Sequence, residues 1–292
     1  FLDEVHRSYN PTGSFLANLI TSDRSAILIG LTGTPLILGD YKTKEIFGDY
    51  IHKYYYNQSI ADGYTLKLIR EAIETNFQNE INKVLDQIEI KKGTIKKKEL
   101  LSNKKFVKPL TKYILEDFKK SRILHNDNTI GGMIVCDTSD QAKMIYEEIN
   151  NAATKAKPDQ KISAALILHD VDNKEIRKDK QTDFKQGKID LLVVYNMLLT
   201  GFDAKRLKKL YLARVVHEHN LLQTLTRVNR PYKNFRYGYV VDFADIRNEF
   251  DKTNKEYFKE LQLELGDEVK EYSNIFKSPE EIEKDIKNLK EK

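Results

Sequence analysis

Two clusters of side chains in this 292-residue chain have the types and spacing to do chemistry. Asp3-Glu4-Val5-His6 sets two adjacent carboxylates after apolar residues. Asp3 suits the water shell of a Mg²⁺ ion, Glu4 suits orienting or deprotonating an attacking water, and His6 would couple that site to a neighbouring lobe. Far downstream, Gln223, Thr226, Arg227 and Arg230 are spaced by three, one and three, which on a helix from about Asn220 to Asn229 projects all four from one face. A guanidinium offers a planar fork to phosphate oxygens, so Arg227 and Arg230 are the expected arginine fingers for charge developing on a transferred phosphoryl group. Gln223 shares that face as a nucleotide contact.

Two further motifs are expected to end strands. Thr200-Gly201-Phe202-Asp203 follows the apolar run Asp190–Tyr195 and is placed at its carboxyl end, where ligand-facing groups gather. There Gly201 would let the backbone pass close to nucleic acid or nucleotide, and Asp203 would hold a ribose hydroxyl or bond Arg227 or Arg230. Leu31-Thr32-Gly33-Thr34-Pro35 ends the run Ala26–Leu31, with Thr32 and Thr34 able to bridge the carboxylates to nucleic acid or to another lobe. His217-Glu218-His219 lacks the i, i+4 histidine spacing of a helical zinc site, so metal ligation there is not expected.

The elements that must position these groups follow from pattern. Apolar-rich runs at 26–31, 131–136, 164–168, 190–195, 210–213 and 239–243 read as strands of a parallel sheet covered on both faces. Helical patterns near 14–22, from 137 to 149 and over 174–186 alternate with them, implying right-handed β-α units. Residues 1–65 read as the trailing part of a first α/β lobe, 66–107 as a helical insertion or linker, 108–246 as a second lobe, and 247–292 as a helical tail. Within the insertion, Ile69, Ile73, Phe77 and Ile81 recur at helical spacing, and seven lysines stand between Lys91 and Lys105. That basic stretch could track a phosphate backbone, although a solvated face is the plainer reading because no aromatics interleave with it.

Composition sets the outer limits. A formal charge of +5, from 49 basic and 44 acidic residues, permits nucleic-acid binding without requiring it. One cysteine, Cys136, excludes an intramolecular disulfide framework, suits a reducing compartment, and sits in an apolar run where an inert, buried thiol is expected. With no long apolar span and no leader pattern, the chain reads as cytoplasmic.

Taken in order, the acidic motif, Thr32-Gly33-Thr34-Pro35, Leu198-Leu199-Thr200-Gly201-Phe202-Asp203-Ala204 and Gln223-x-x-Thr226-Arg227-x-x-Arg230 resemble motifs II, III, V and VI of superfamily 2 helicases and translocases. The stretch Asn196–Tyr232 resembles most closely the motor, or R, subunit of type I restriction-modification enzymes, and Asp3–Ser8 and Ile60–Gly63 fit the same family. The resemblance covers residues 1–35 and 189–245 closely and 108–188 more loosely. It implies two RecA-like lobes closing on ATP and Mg²⁺, translocation of double-stranded DNA, cleavage by a separate nuclease domain, and specificity and modification subunits as partners. It also implies Mg²⁺ and water roles for Asp3 and Glu4, coupling roles for Thr32 and Thr34, finger roles for Arg227 and Arg230, and a place near the DNA track for Thr200 and Gly201.

No G-x-x-x-x-G-K-[ST] phosphate loop occurs in the sequence, and neither do the family's nuclease carboxylates and lysine. The family carries both upstream of the acidic motif. The chain is therefore expected to be the downstream piece of a larger polypeptide, to bind ATP poorly by itself and to cut nothing. The competing expectations are a DNA- or subunit-binding module with idle motifs, and another helicase of the superfamily.

Overall fold

The computed structural model describes residues 1–3, 5, 14–32, 43–54, 56–71, 73, 77, 79, 83, 103–199, 201–214, 216, 218–243, 277 and 279–290. Two compact units divide the chain, Phe1–Gln58 falling in one and Ser59–Phe250 with Asn274–Lys292 in the other. The expected tail helix over 247–266 and most of the lysine-rich stretch lie outside the described residues.

In the first unit, helices α1 (Ser14–Ser22) and α2 (Thr43–Phe47) accompany an isolated parallel bridge between Leu2 and Gly30. Leu2 N–H donates to Ile29 O at 2.8 Å, Leu31 N–H to Leu2 O at 2.7 Å, and Val5 N–H to Leu31 O at 3.1 Å. The run 26–31 was expected to be a full strand, and among the described residues its pairing is this short bridge. Even so, the two segments run parallel and adjacent.

Helix α3 (Tyr56–Ala61) ends in a turn at Asp62-Gly63. The second unit is built on a six-stranded, all-parallel sheet. Its strands are β1 (Lys67–Glu71), β2 (Gly131–Val135), β3 (Ala164–Ile167), β4 (Leu191–Val194), β5 (Leu207–Leu212) and β6 (Tyr237–Asp242), in spatial order β1-β6-β5-β2-β4-β3. Every residue of β2, β4 and β5 is buried, as a sheet covered on both faces requires. The expected RecA-like parallel α/β class is thus observed, while one assignment is corrected: residues 67–71, given to a helical insertion, form an edge strand. Ile69 satisfies a helical repeat and a strand repeat alike, and pairing with β6 decides between them.

Helices α4 (Lys104–Leu124), α5 (Ser139–Lys155) and α6 (Lys174–Gln186) cover the sheet, followed by α7 (Glu218–Leu225) and α8 (Pro279–Lys290). Local chemistry starts the first three: the side chains of Asn103, Thr138 and Asn173 accept from the N–H groups of Lys105, Gln141 and Ile176 at 3.0, 3.0 and 2.9 Å. Beneath them Ile114, Phe118, Ile134, Ile145, Ile149 and Tyr211 share one core with Cys136. Burial pushes the Cys136 thiol far up, so it is an inert filler.

Candidate functional site

The parallel bridge of the first unit brings two expected motifs side by side. Pairing Leu2 with Gly30 sets Asp3, which is exposed, beside the Leu31-Thr32 segment. Glu4, His6 and Thr34 lie outside the described residues, and among those described no group of His, Cys, Asp and Glu could hold a metal ion.

In the second unit the Gln223–Arg230 constellation departs from expectation. The helix α7 stops at Leu225, Thr226 and Arg227 form a turn, and Arg230 lies beyond it. The four side chains therefore do not share one helical face. Gln223 is buried and so is Arg227, whose Nε donates to Gln223 O at 2.8 Å and whose Nη1 donates to Phe202 O at 2.6 Å. Arg227 thus ties the end of α7 to the segment before β5. Arg230 is half-exposed, its Nε standing 2.9 Å from Asp203 Oδ1, which is more exposed still. Because that Nε has no hydrogen-bond partner of acceptable angle, the contact is an ion pair and not a directed hydrogen bond. Solvent screens such a pair, so it holds the guanidinium weakly.

The position of Asp203 is a second correction. Since β4 and β5 both run parallel to β2, the chain leaving β4 must return to the amino-terminal edge of the sheet before β5 can begin. No helix forms in between, and by Phe202 the return is complete: its ring lies 6.1 Å from that of Phe184, beside the first residue of β2. Phe202 and Asp203 therefore stand at the amino edge and not at the carboxyl end of β4. The crossing takes two left-handed residues, Leu198 at φ 65° and Gly201 at φ 71°. Glycine suits the second, with open space around its absent Cβ, whereas a leucine in that region is strained by about 1–2 kcal/mol. Thr200, between them, lies outside the described residues.

The amino edge is also where the cations gather. A shallow depression of about 290 Å³ is lined by Lys185, Asp203, Ala204, Lys205, Arg206 and Tyr232. Arg206 is buried beneath it, its guanidinium donating to the carbonyls of Thr129, Phe184 and Ile189 at 2.7, 2.7 and 2.6 Å. Burial lowers its pKa, opposed by the Asp190 carboxylate. Lys208, also buried, donates to the carbonyls of Val228 and Arg230, and burial together with the Arg230 charge brings its ammonium down to about 7. Sequence reasoning missed Arg206, Lys208 and the strained Leu198. Its one available signal was a pair of lysines inside the otherwise apolar run Leu207–Leu212.

Comparison with known proteins bears on the family and the fold. Residues 140–245 match the family model for type I restriction enzyme subunit R domain 3, and residues 1–101 match that for the SWI2/SNF2 ATPase. A Methanocaldococcus jannaschii protein assigned as the type I restriction enzyme MjaVIIIP endonuclease subunit is 29% identical over 290 residues, covering 84% of this chain and 28% of its own. The type I restriction enzyme SauCOLORF180P endonuclease subunit of Staphylococcus aureus is 26% identical over 343 residues, covering 99% of this chain and 36% of its own. In three dimensions, a fragment structure assigned to an HsdR subunit of a type I restriction enzyme from Vibrio vulnificus superposes with a TM-score of 0.56 at 18% identity, over 81% of this chain and 44% of that one. The chain is therefore similar to R subunits of type I restriction enzymes and shares its fold with that fragment. It spans 28% and 36% of the length of those two relatives. Among the described residues no helix is long and apolar enough to cross a membrane.

Proposed function

We propose that this chain is the C-terminal part of the motor core of the endonuclease subunit of a type I restriction enzyme. It would act in the cytoplasm, ATP hydrolysis driving double-stranded DNA past a complex that also holds specificity and modification subunits. The observation that carries this reading is the half-exposed Arg230 guanidinium, in a screened pair with Asp203 at the amino edge of the second-unit sheet. A cation presented in this way can transfer from a carboxylate to a phosphate at little cost, because the fork geometry is the same for both.

Each unit, taken by itself, carries residues that suit part of a nucleotide or of its metal ion. The exposed Asp3 carboxylate suits the water shell of Mg²⁺, with Glu4 beside it in sequence for the attacking water. Asp203, released from Arg230, suits a ribose hydroxyl. Bound ATP would supply the phosphoryl group whose transfer drives the motor, and a Mg²⁺ ion held through Asp3 would supply charge neutralisation. Arg230 stabilises the charge that develops, whereas Arg227, bonded to Phe202 O and Gln223 O, serves by keeping α7 and the Asp203 segment in register. Its finger role would require both bonds to open. Thr32 and Thr34 couple the acidic motif to the nucleic acid or to another lobe, and Thr200 and Gly201 serve the DNA track.

The test is ATP turnover by the complete gene product with duplex DNA. Arg230→Ala is expected to lower kcat by about a thousandfold or more, the range seen when an arginine finger is lost. The isolated chain is expected to show no appreciable turnover. Robust DNA-stimulated turnover by the isolated chain, or a fully active Arg230→Ala protein, would count for a different motor, and a complete gene product without ATP turnover for a binding module.

A further inference from the structure

Lys208 is a buried cation that the phosphate reading does not use. It is the second residue of β5, and its Nζ donates to the carbonyl of Val228 at 3.4 Å and to that of Arg230. Between those two, the carbonyl of Asn229 accepts from the N–H of Leu66 at 2.6 Å. Three successive carbonyls are thus held alternately by Lys208 and by Leu66, as an extended segment presents them. Gly238 closes a further approach: a Cβ there would stand 2.2 Å from Val228 O and 2.7 Å from its carbonyl carbon, so only glycine lets β6 lie against the segment.

Burying an ammonium is costly unless its donors are met, and a methionine would occupy similar space without that cost. What the lysine adds is a set of N–H donors on the carbonyls of Val228 and Arg230, one on either side of Asn229. That segment lies past the end of α7 and before β6, so the helix and the strand ladder do not fix it.

We propose that Lys208 is a positioning residue for Arg230: by gripping the carbonyls of Val228 and Arg230 it fixes the backbone from which the guanidinium reaches a nucleotide phosphate. The proposal rests on reading Arg230 as the phosphate-facing group. The placement it provides is of the kind whose loss by about an ångström costs up to a hundredfold in rate.

The experiment is a double-mutant cycle on DNA-stimulated ATP turnover by the complete gene product, using Lys208→Met, Arg230→Ala and the two combined. Lys208→Met is expected to fold, as judged by its melting curve, and to lose roughly ten- to a hundredfold in kcat while KM for ATP stays within about twofold. In the Arg230→Ala background the same substitution is expected to cost nothing more, since no guanidinium is left to place. Should Lys208→Met fail to fold, Gly238→Ala, which pushes on the Val228 carbonyl, carries the same cycle with the same expectation. An unchanged kcat, or an equal loss with and without Arg230, overturns the positioning role and leaves the reading of Arg230 standing. An Arg230→Ala protein as active as its parent, or a parent without DNA-stimulated turnover, overturns both.

Discussion

Lys208 and Lys209 are consecutive on β5 and both are buried, yet the two faces of the sheet receive them differently. Lys209 meets carboxylates: Asp117 Oδ2 at 2.9 Å and Glu71, in a network that the Tyr211 hydroxyl completes by donating to Asp117 at 2.7 Å. The hydrogen bonds of Lys208 go instead to neutral carbonyls, with the Arg230 charge close by. The consequences are readable in the titrating groups. Burial and Arg230 bring Lys208 down to about 7, while burial raises Glu71 even against the pull of Lys209. Tyr239, on the Lys209 side, is pushed up to about 12 by burial and by the Glu71 charge. A buried cation matched by opposite charge stiffens the lobe, whereas one matched only by dipoles stands near neutralisation and earns its place by where it holds the chain.

The sharpest way to break this comparison is Lys209→Met. It leaves Glu71, Asp117 and the Tyr211 hydroxyl together without their cation, and the second unit is expected to lose about 3–5 kcal/mol in denaturant unfolding. A loss below about 1 kcal/mol would erase the contrast between the faces.

Next comes pH. Lys208 titrates near 7 when folded and near 10.5 when unfolded, so above pH 7 the unfolded chain binds the extra proton and stability rises with pH. The slope is at most about 1.4 kcal/mol per pH unit and is expected between about pH 7 and 10. Above pH 10 the raised Tyr239 opposes it, because the unfolded tyrosine gives up its proton first. Lys208→Met should flatten that slope, and an unchanged slope in Lys208→Met would show that another group is responsible.

A smaller effect is expected at Glu71. Glu71→Gln keeps the shape but removes a charge whose burial outweighs the pull of Lys209, so it should leave stability unchanged or raise it slightly at neutral pH, with little change at pH 4, where the raised Glu71 is already protonated in the fold. The smallest belongs to the exposed pair. Asp203→Asn should move stability by less than about 1 kcal/mol, so a larger loss would mean that the pair is structural and that Arg230 is not free to exchange partners.

How much of this was legible beforehand varies with how local the cause is. The five central and edge strands from 131 onward, and the helix over 174–186, follow from apolar runs and from caps such as Asn173, whose partner Ile176 is three residues away. The parallel neighbourhood of Asp3 and Thr32 was likewise legible, because both follow apolar segments of one sheet. β1 was not, since its short alternation is ambiguous until β6 pairs with it. Nor was the early end of α7: the spacing of Gln223, Thr226, Arg227 and Arg230 suits a helix, but the Arg227 guanidinium closes back onto Gln223 O and across to Phe202 O. Lys208 and Lys209 would each be placed at the surface by their type alone, and the carbonyls and carboxylates that admit them lie 22 and 138 residues away in sequence.

By itself, then, the sequence determined the parallel α/β class, the order of the motifs and the groups proposed to meet a phosphate. Those properties depend on side-chain type and short-range periodicity, which survive without knowledge of neighbours. Only the tertiary structure decided which arginine faces solvent and which is a brace, and at which edge of the sheet Asp203 stands. Both outcomes depend on strand direction and on distant carbonyl groups, whose positions exist only once the sheet has closed around them.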